Sequence, residues 1–391
     1  MAGLVASVLV VAAATTWLVL RDDTYVATPQ RPAAATLGPA DIEATLDLVE
    51  EAVGSADAAP LAGTGAEHLV ANAELLRVRD LDLRYVAQAG GAQGGVRATV
   101  DVTWRFGGFD DQPARTEVEM IFGPGEGGEA ALTSVGGGDG RSPLWLTGPV
   151  EVQRTDRVLV LGAEGTNLAP VAARAEAAVP VVRRVLPRWR PRLVVEVPAS
   201  AGGLGDVLGA SDGRYDGVAA VTAAPDGSTA PDAPLHVFVN PDVLGTLRSR
   251  GAQVVLSHEA THVATRAPVS TQPLWLLEGF ADYVALRDVD LPLTTTAGQV
   301  IEQVREDGAP VALPGAAEFD TATTHLGAAY EAAWLACVVL ADRVGERGLL
   351  DVYRTTGTDG LDAALEQVGW TEAGLTAAWR ARLTALADLP D

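Results

Sequence analysis

Ser257-His258-Glu259-Ala260-Thr261-His262 sits inside a stretch, Gly251 to Arg266, whose apolar positions recur at helical spacing. On a helix, residues four apart share a face, so the imidazoles of His258 and His262 reach one metal ion while Glu259 stands beside its open coordination position. A catalytic zinc needs a third protein donor, and sixteen residues beyond His262 comes Glu278. It is planted in Pro273-Leu274-Trp275-Leu276-Leu277-Glu278-Gly279-Phe280-Ala281-Asp282-Tyr283. A carboxylate set among apolar neighbours is disfavoured without a partner, and a metal at its oxygen supplies one. Asp282 lies one turn further on the same face, placed to accept the second N–H of a liganding histidine, although an ordinary exposed helix charge would read the same way.

Working outward from this pair of helices, the chain from Pro241 to its end reads as helical. The expected helices are 251–266, 273–289, 295–306, 325–344, 360–368 and 371–386. Upstream come a strand at Arg157 to Gly162, a helix at Ala169 to Leu186, and strands at Arg192 to Pro198, Gly217 to Val221 and Leu235 to Asn240. The last of these is expected to be an edge strand, and His236 on it reads as structural or exposed and not as a ligand.

Pro143 to Pro149 marks a junction. Before it, Ile42, Leu46, Val49 and Val53 carry a helical period after Pro39, and then the period changes to two. Leu81 to Ala87, Val96 to Trp104 and Val118 to Phe122 alternate between apolar and polar residues, with Gly-rich breaks between them. A helix packed on a curved antiparallel sheet is the expected outcome. That order resembles small NTF2-like or cystatin-like domains. His68 stands alone there and reads as a surface or core residue.

At the amino end no charge interrupts Ala2 to Leu20, a run long enough to cross a hydrocarbon core as a helix before Arg21-Asp22-Asp23. An uncleaved anchor and a cleaved secretory signal both remain open. The missing basic start favours the anchor, with the bulk of the chain extracytoplasmic. Residues 24–38, with two prolines and no amphipathic period, read as a linker. The expected organisation is therefore a transmembrane anchor at 1–23, a linker at 24–38, an NTF2-like accessory domain at 39–148 and a metallopeptidase domain at 149–391. The fold class is α+β, with a small sheet and a helical C-terminal half in the last domain.

Composition narrows the function. The 391 residues carry a net charge of −23, with 28 basic residues, all arginine, against 51 acidic ones. No basic footprint for nucleic acid follows from such a balance. A single cysteine, Cys337, excludes an internal disulfide framework, and in Trp334 to Leu340 it reads as a small core residue. The bias toward Ala, Gly, Val and Arg is read as that of a GC-rich bacterial genome.

The segments His258-Glu259-Ala260-Thr261-His262 and Trp275 to Tyr283 resemble those of the gluzincins, the peptidase MA-like zinc metalloproteases. The spacing from Glu278 to Asp282 is similar to the ExxxD pattern of thermolysin-type members. The resemblance covers roughly Val152 to Asp391. It implies that His258, His262 and Glu278 bind Zn2+, and that Glu259 is the general base in attack of zinc-bound water on a peptide bond. A metzincin continuation would need glycine at Thr265 and histidine at Pro268, so that branch is excluded. No GxMEN-like segment occurs between Val218 and Val255, which turns the expectation from an amino-terminal exopeptidase toward an endopeptidase acting on peptide or protein substrates. The interval from His262 to Glu278 is shorter than in those aminopeptidases and in thermolysin.

The oxyanion formed on attack needs a further donor. Tyr330, in Tyr330-Glu331-Ala332-Ala333, is the candidate, being similar in place to the tyrosine of the YEKG segment of gluzincin aminopeptidases, although the Lys and Gly are missing. His325 is the alternative donor. A different class of function stays open beside the peptidase: a catalytically inactive envelope binding protein whose work is done by the domain before Gly148.

Overall fold

The computed structural model describes residues 37–389, apart from 93–94, 126–128, 212 and 321–324. The expected anchor at 1–23 and most of the linker lie outside the described residues. Among the described residues, no helix is long and apolar enough to cross a membrane.

Ile42, Leu46 and Val49 are buried on one stripe, and helix α1 (Pro39–Ser55) forms along it, closed by Ala56 in the left-handed region. A second helix, α2 (Glu67–Leu76), buries Leu69, Val70, Ala73 and Leu76 and packs beside it. Then follow β1 (Val78–Ala92), β2 (Gly95–Phe106), β3 (Ala114–Pro124) and β4 (Ala130–Val135), an antiparallel meander in chain order. Along β2 and β3 the alternation places Ala98, Val100, Val102, Trp104, Val118, Met120 and Phe122 in the core. On the opposite face Asp101 is neutralised by Arg84 and Arg115.

A short helix, α3 (Leu144–Thr147), buries Leu144, Trp145 and Leu146 and leads into β5 (Val150–Arg154), β6 (Val158–Ala163), α4 (Ala169–Val185), β7 (Leu193–Val197), α5 (Ala201–Leu208), β8 (Ala220–Ala223) and β9 (His236–Val239). These five strands form a second sheet in the order β5-β6-β7-β9-β8. Strands β6, β7 and β9 are parallel to one another, and β5 and β8 run antiparallel at the edges. The remaining elements are helical: α6 (Pro241–Leu244), α7 (Ser249–Thr265), α8 (Leu274–Leu286), α9 (Leu293–Thr296), α10 (Gly298–Asp307), α11 (Leu326–Asp359), α12 (Leu361–Gln367) and α13 (Glu372–Ala387). Helix α11 is two helical stretches meeting at Gly345, whose φ of 77° and ψ of 165° break the turn where the sequence period also ends. The chain is thus α+β, with two sheets and a helical C-terminal half.

The central strands of the second sheet are buried on both faces. Val158, Val160, Val195, Val237 and Val239 point into a core shared with the C-terminal helices. Their neighbours Leu159, Leu161, Val194 and Phe238 point the other way, into a core shared with Trp104, Phe106, Phe122 and Trp145 of the first unit. The first unit therefore covers the back of the second sheet. A polar clasp reinforces this contact. His236 of β9, fully buried, lies with Nδ1 2.7 Å from Glu196 Oε1 and Nε2 3.0 Å from Asp110 Oδ1, the latter from the turn after β2. Its ring stacks on Phe106 with centroids 5.4 Å apart. Of the two readings of His236, structural and exposed, the structure selects the first.

Two expectations are corrected. The strand expected at Gly217 to Val221 is Ala220–Ala223, with residues 217–219 outside it. The strand at Leu235 to Asn240 is not an edge, because β9 is flanked by β7 on one side and β8 on the other. The edge is β8. Since Asn240 N–H donates to the Ala219 carbonyl, the alternating pattern of an antiparallel ladder assigns the hydrogen-bonded positions to Val221 and Ala223. The main-chain groups of Ala220 and Thr222 then face the open side of the sheet.

Candidate metal centre

Helix α7 packs against both α8 and β8 and carries the two histidines one turn apart, their rings edge to face with centroids 4.5 Å apart. His258 Nε2 and His262 Nε2 are separated by 2.9 Å, and each lies 3.1 Å from Glu278 Oε2 on α8. These three donor atoms make a nearly equilateral triangle. A tetrahedral zinc with bonds of about 2.0–2.1 Å spaces its ligand atoms about 3.3 Å apart, so the triangle opens only slightly to receive one. Two imidazole nitrogens and one carboxylate oxygen suit zinc in their chemistry as well.

The charges around the triangle favour a cation at its centre. Burial works against a charge on His258, but the charges and hydrogen bonds of Asp282 and Glu278 outweigh it and raise the imidazole well above its ordinary value. Burial alone would raise Glu278, yet His262 and His258 hold its carboxyl well below the usual carboxylate range. Asp282 Oδ1 lies 2.7 Å from His258 Nδ1, which leaves Nε2 of that ring toward the triangle. His262 has no such support, its Nδ1 being buried with no hydrogen-bond partner among the described residues.

Backbone packing fixes these positions. Gly279 lies where α8 crosses α11, and a Cβ there would overlap the Ala333 carbonyl oxygen and come within 3.1 Å of Cys337 Sγ. The close approach carries Glu278 and Tyr330 to the same cleft. The Tyr330 ring centroid is 6.0 Å from that of His258, and Phe319 packs edge to face against it at 5.3 Å. Burial, with Glu278, Glu259 and Asp282 nearby, pushes the Tyr330 phenol up, so it stays protonated as a hydrogen-bond donor.

A cleft of about 720 Å³ opens over the triangle, walled by β8, α7, α8 and the start of α11. Glu259 lines it and is 7% exposed. The Thr222 hydroxyl donates to Glu259 Oε2 at 2.6 Å.

The structure thus brings together His258, Glu259, His262, Glu278, Asp282 and Tyr330 in one cleft. It does not bring His325, which is exposed at the start of α11 and does not line the cleft. Cys337 is fully buried, with its thiol pushed up by burial. His68 places Nε2 3.0 Å from the Leu146 carbonyl oxygen, outside the cleft. Thr222 and Glu331 line the cleft unannounced by the sequence. Thr222 lies in the short run Ala-Val-Thr-Ala, which carries no signal of its partner, whereas Glu331 follows the candidate tyrosine directly. No family model matches the chain, and no curated protein matches it.

Proposed function

We propose that this chain is a zinc-dependent metallopeptidase of gluzincin type, cleaving peptide bonds within polypeptide substrates, tethered by its amino-terminal segment with its body outside the cytoplasm. The observation that carries the reading is the triangle of His258 Nε2, His262 Nε2 and Glu278 Oε2 in an open cleft that Glu259 also lines. Bound there, zinc would polarise the scissile carbonyl and acidify a water molecule. Glu259 takes the proton of the attacking water and passes it to the leaving amine. Tyr330, a protonated phenol facing the same cleft, donates a hydrogen bond to the oxyanion. Asp282 keeps the His258 ring in its donor orientation.

A binding protein that has lost catalysis is expected to lack the base or a ligand, and here Glu259 and all three donors are present. The test is cleavage of a peptide library by the zinc-loaded protein and by Glu259→Gln. Cleavage that disappears in the variant while zinc is retained is the expected result. Undiminished cleavage in Glu259→Gln removes the assignment.

A further inference from the structure

Glu259 is held from above as well as by its own helix. Thr222 is the buried residue of β8 whose side chain reaches α7, with its hydroxyl 2.6 Å from Glu259 Oε2 and 3.2 Å from the Glu259 carbonyl oxygen. A carboxylate on a flexible side chain has several rotamers, and a hydrogen bond to one of its oxygens selects among them. The bond to Oε2 leaves the other oxygen for the proton that the base must carry. The strand position is itself fixed, because Thr222 pairs with Val237 of the fully buried β9.

We propose that Thr222 is the positioning residue for Glu259, holding through its hydroxyl one rotamer of the carboxylate in the cleft that also holds the metal triangle. The inference rests on the peptidase reading for its kinetic consequence, but the placement of Glu259 is measurable without activity. Thr222→Val removes the hydroxyl at nearly constant shape, and Thr222→Ser keeps it.

Crystal structures of the zinc-loaded wild type and both variants form the first arm. The expected result is a Glu259 carboxylate fixed on residue 222 in wild type and Thr222→Ser, and swung away in Thr222→Val. The second arm is steady-state cleavage of a peptide substrate. Loss of positioning should lower kcat about 10–100-fold in Thr222→Val, with KM within about twofold and zinc content unchanged, and Thr222→Ser should recover most of the loss. An unmoved Glu259 in Thr222→Val overturns the proposal, as does a serine variant in which Glu259 is displaced as far as in the valine one. If the wild type cleaves no peptide, the peptidase reading fails while the crystallographic arm still decides the role of Thr222.

Discussion

Asp282 Oδ1 lies 2.7 Å from His258 Nδ1, one turn of α8 beyond Glu278, so that a single helix face supplies both a candidate metal donor and the group that orients another. Removing such an outer partner typically weakens metal binding by about 10–100-fold. Asp282→Ala is expected to lose zinc affinity in that range, and Asp282→Asn, which keeps an acceptor oxygen, to lose less. Competition with a chromophoric chelator measures both. Equal affinity in the wild type and Asp282→Ala would show that the carboxylate does not support the ligand.

Gly279 is next to Glu278 and against the Ala333 carbonyl oxygen, so any side chain there forces α8 off α11. Overpacking of this kind costs about 1–3 kcal/mol. Gly279→Ala should lower the thermal midpoint and also weaken zinc binding, because the shift displaces Glu278. A variant of unchanged stability would mean the helices separate at no cost.

The buried clasp of Asp110, His236 and Glu196 gives the molecule a pH dependence. Burial lowers the proton affinity of His236, but the charges and hydrogen bonds of Asp110 and Glu196 outweigh it and raise its pKa to about 10. The folded state therefore binds this proton more tightly than the unfolded chain, where histidine titrates near about 6.5. The contribution to stability is full below that value and is lost as pH rises through about 10. Denaturant midpoints should fall across this window in the wild type and fall less in His236→Ala. That variant leaves two buried carboxylates without their cation and should cost about 3–5 kcal/mol at neutral pH. Parallel pH profiles of the two proteins would contradict the assignment.

Leu159, Leu161, Val194 and Phe238 form the face of the second sheet that the first unit covers. A fragment starting at Pro149 exposes that apolar face and leaves His236 without Asp110. It is expected to aggregate or to bind hydrophobic dyes, whereas a fragment starting at Pro39, which keeps the first unit, does not. A soluble, cooperatively unfolding fragment would show that the back of the sheet needs no cover.

Much of the site was legible because its information is local. The spacing of His258 and His262, and of Glu278 and Asp282, is set by helix geometry alone, and the apolar run around Glu278 marks its helix. Tyr330 needed the added chemical demand for a donor. The strands were harder. Leu235 to Asn240 reads as a strand, yet nothing in it tells how many neighbours it has, and its position between β7 and β8 depends on pairing with residues far away in the chain. The edge itself is read from the sequence as Gly217 to Val221, whereas the strand is Ala220–Ala223, so Thr222, the partner of Glu259, fell just outside it. The shared core had a trace in the sequence: Val158 to Leu161 and Leu193 to Val195 are continuous apolar runs, the pattern of strands buried on both faces. Which unit covers the second face is a tertiary fact.

The most direct test of the account is the zinc content of the full chain after dialysis, beside Glu278→Ala and Glu259→Gln. The account predicts about one tightly held zinc per chain in the wild type and in Glu259→Gln, and its loss in Glu278→Ala. A wild type without zinc, or a Glu278→Ala protein that holds it as tightly, would contradict the metal centre on which the proposed function stands.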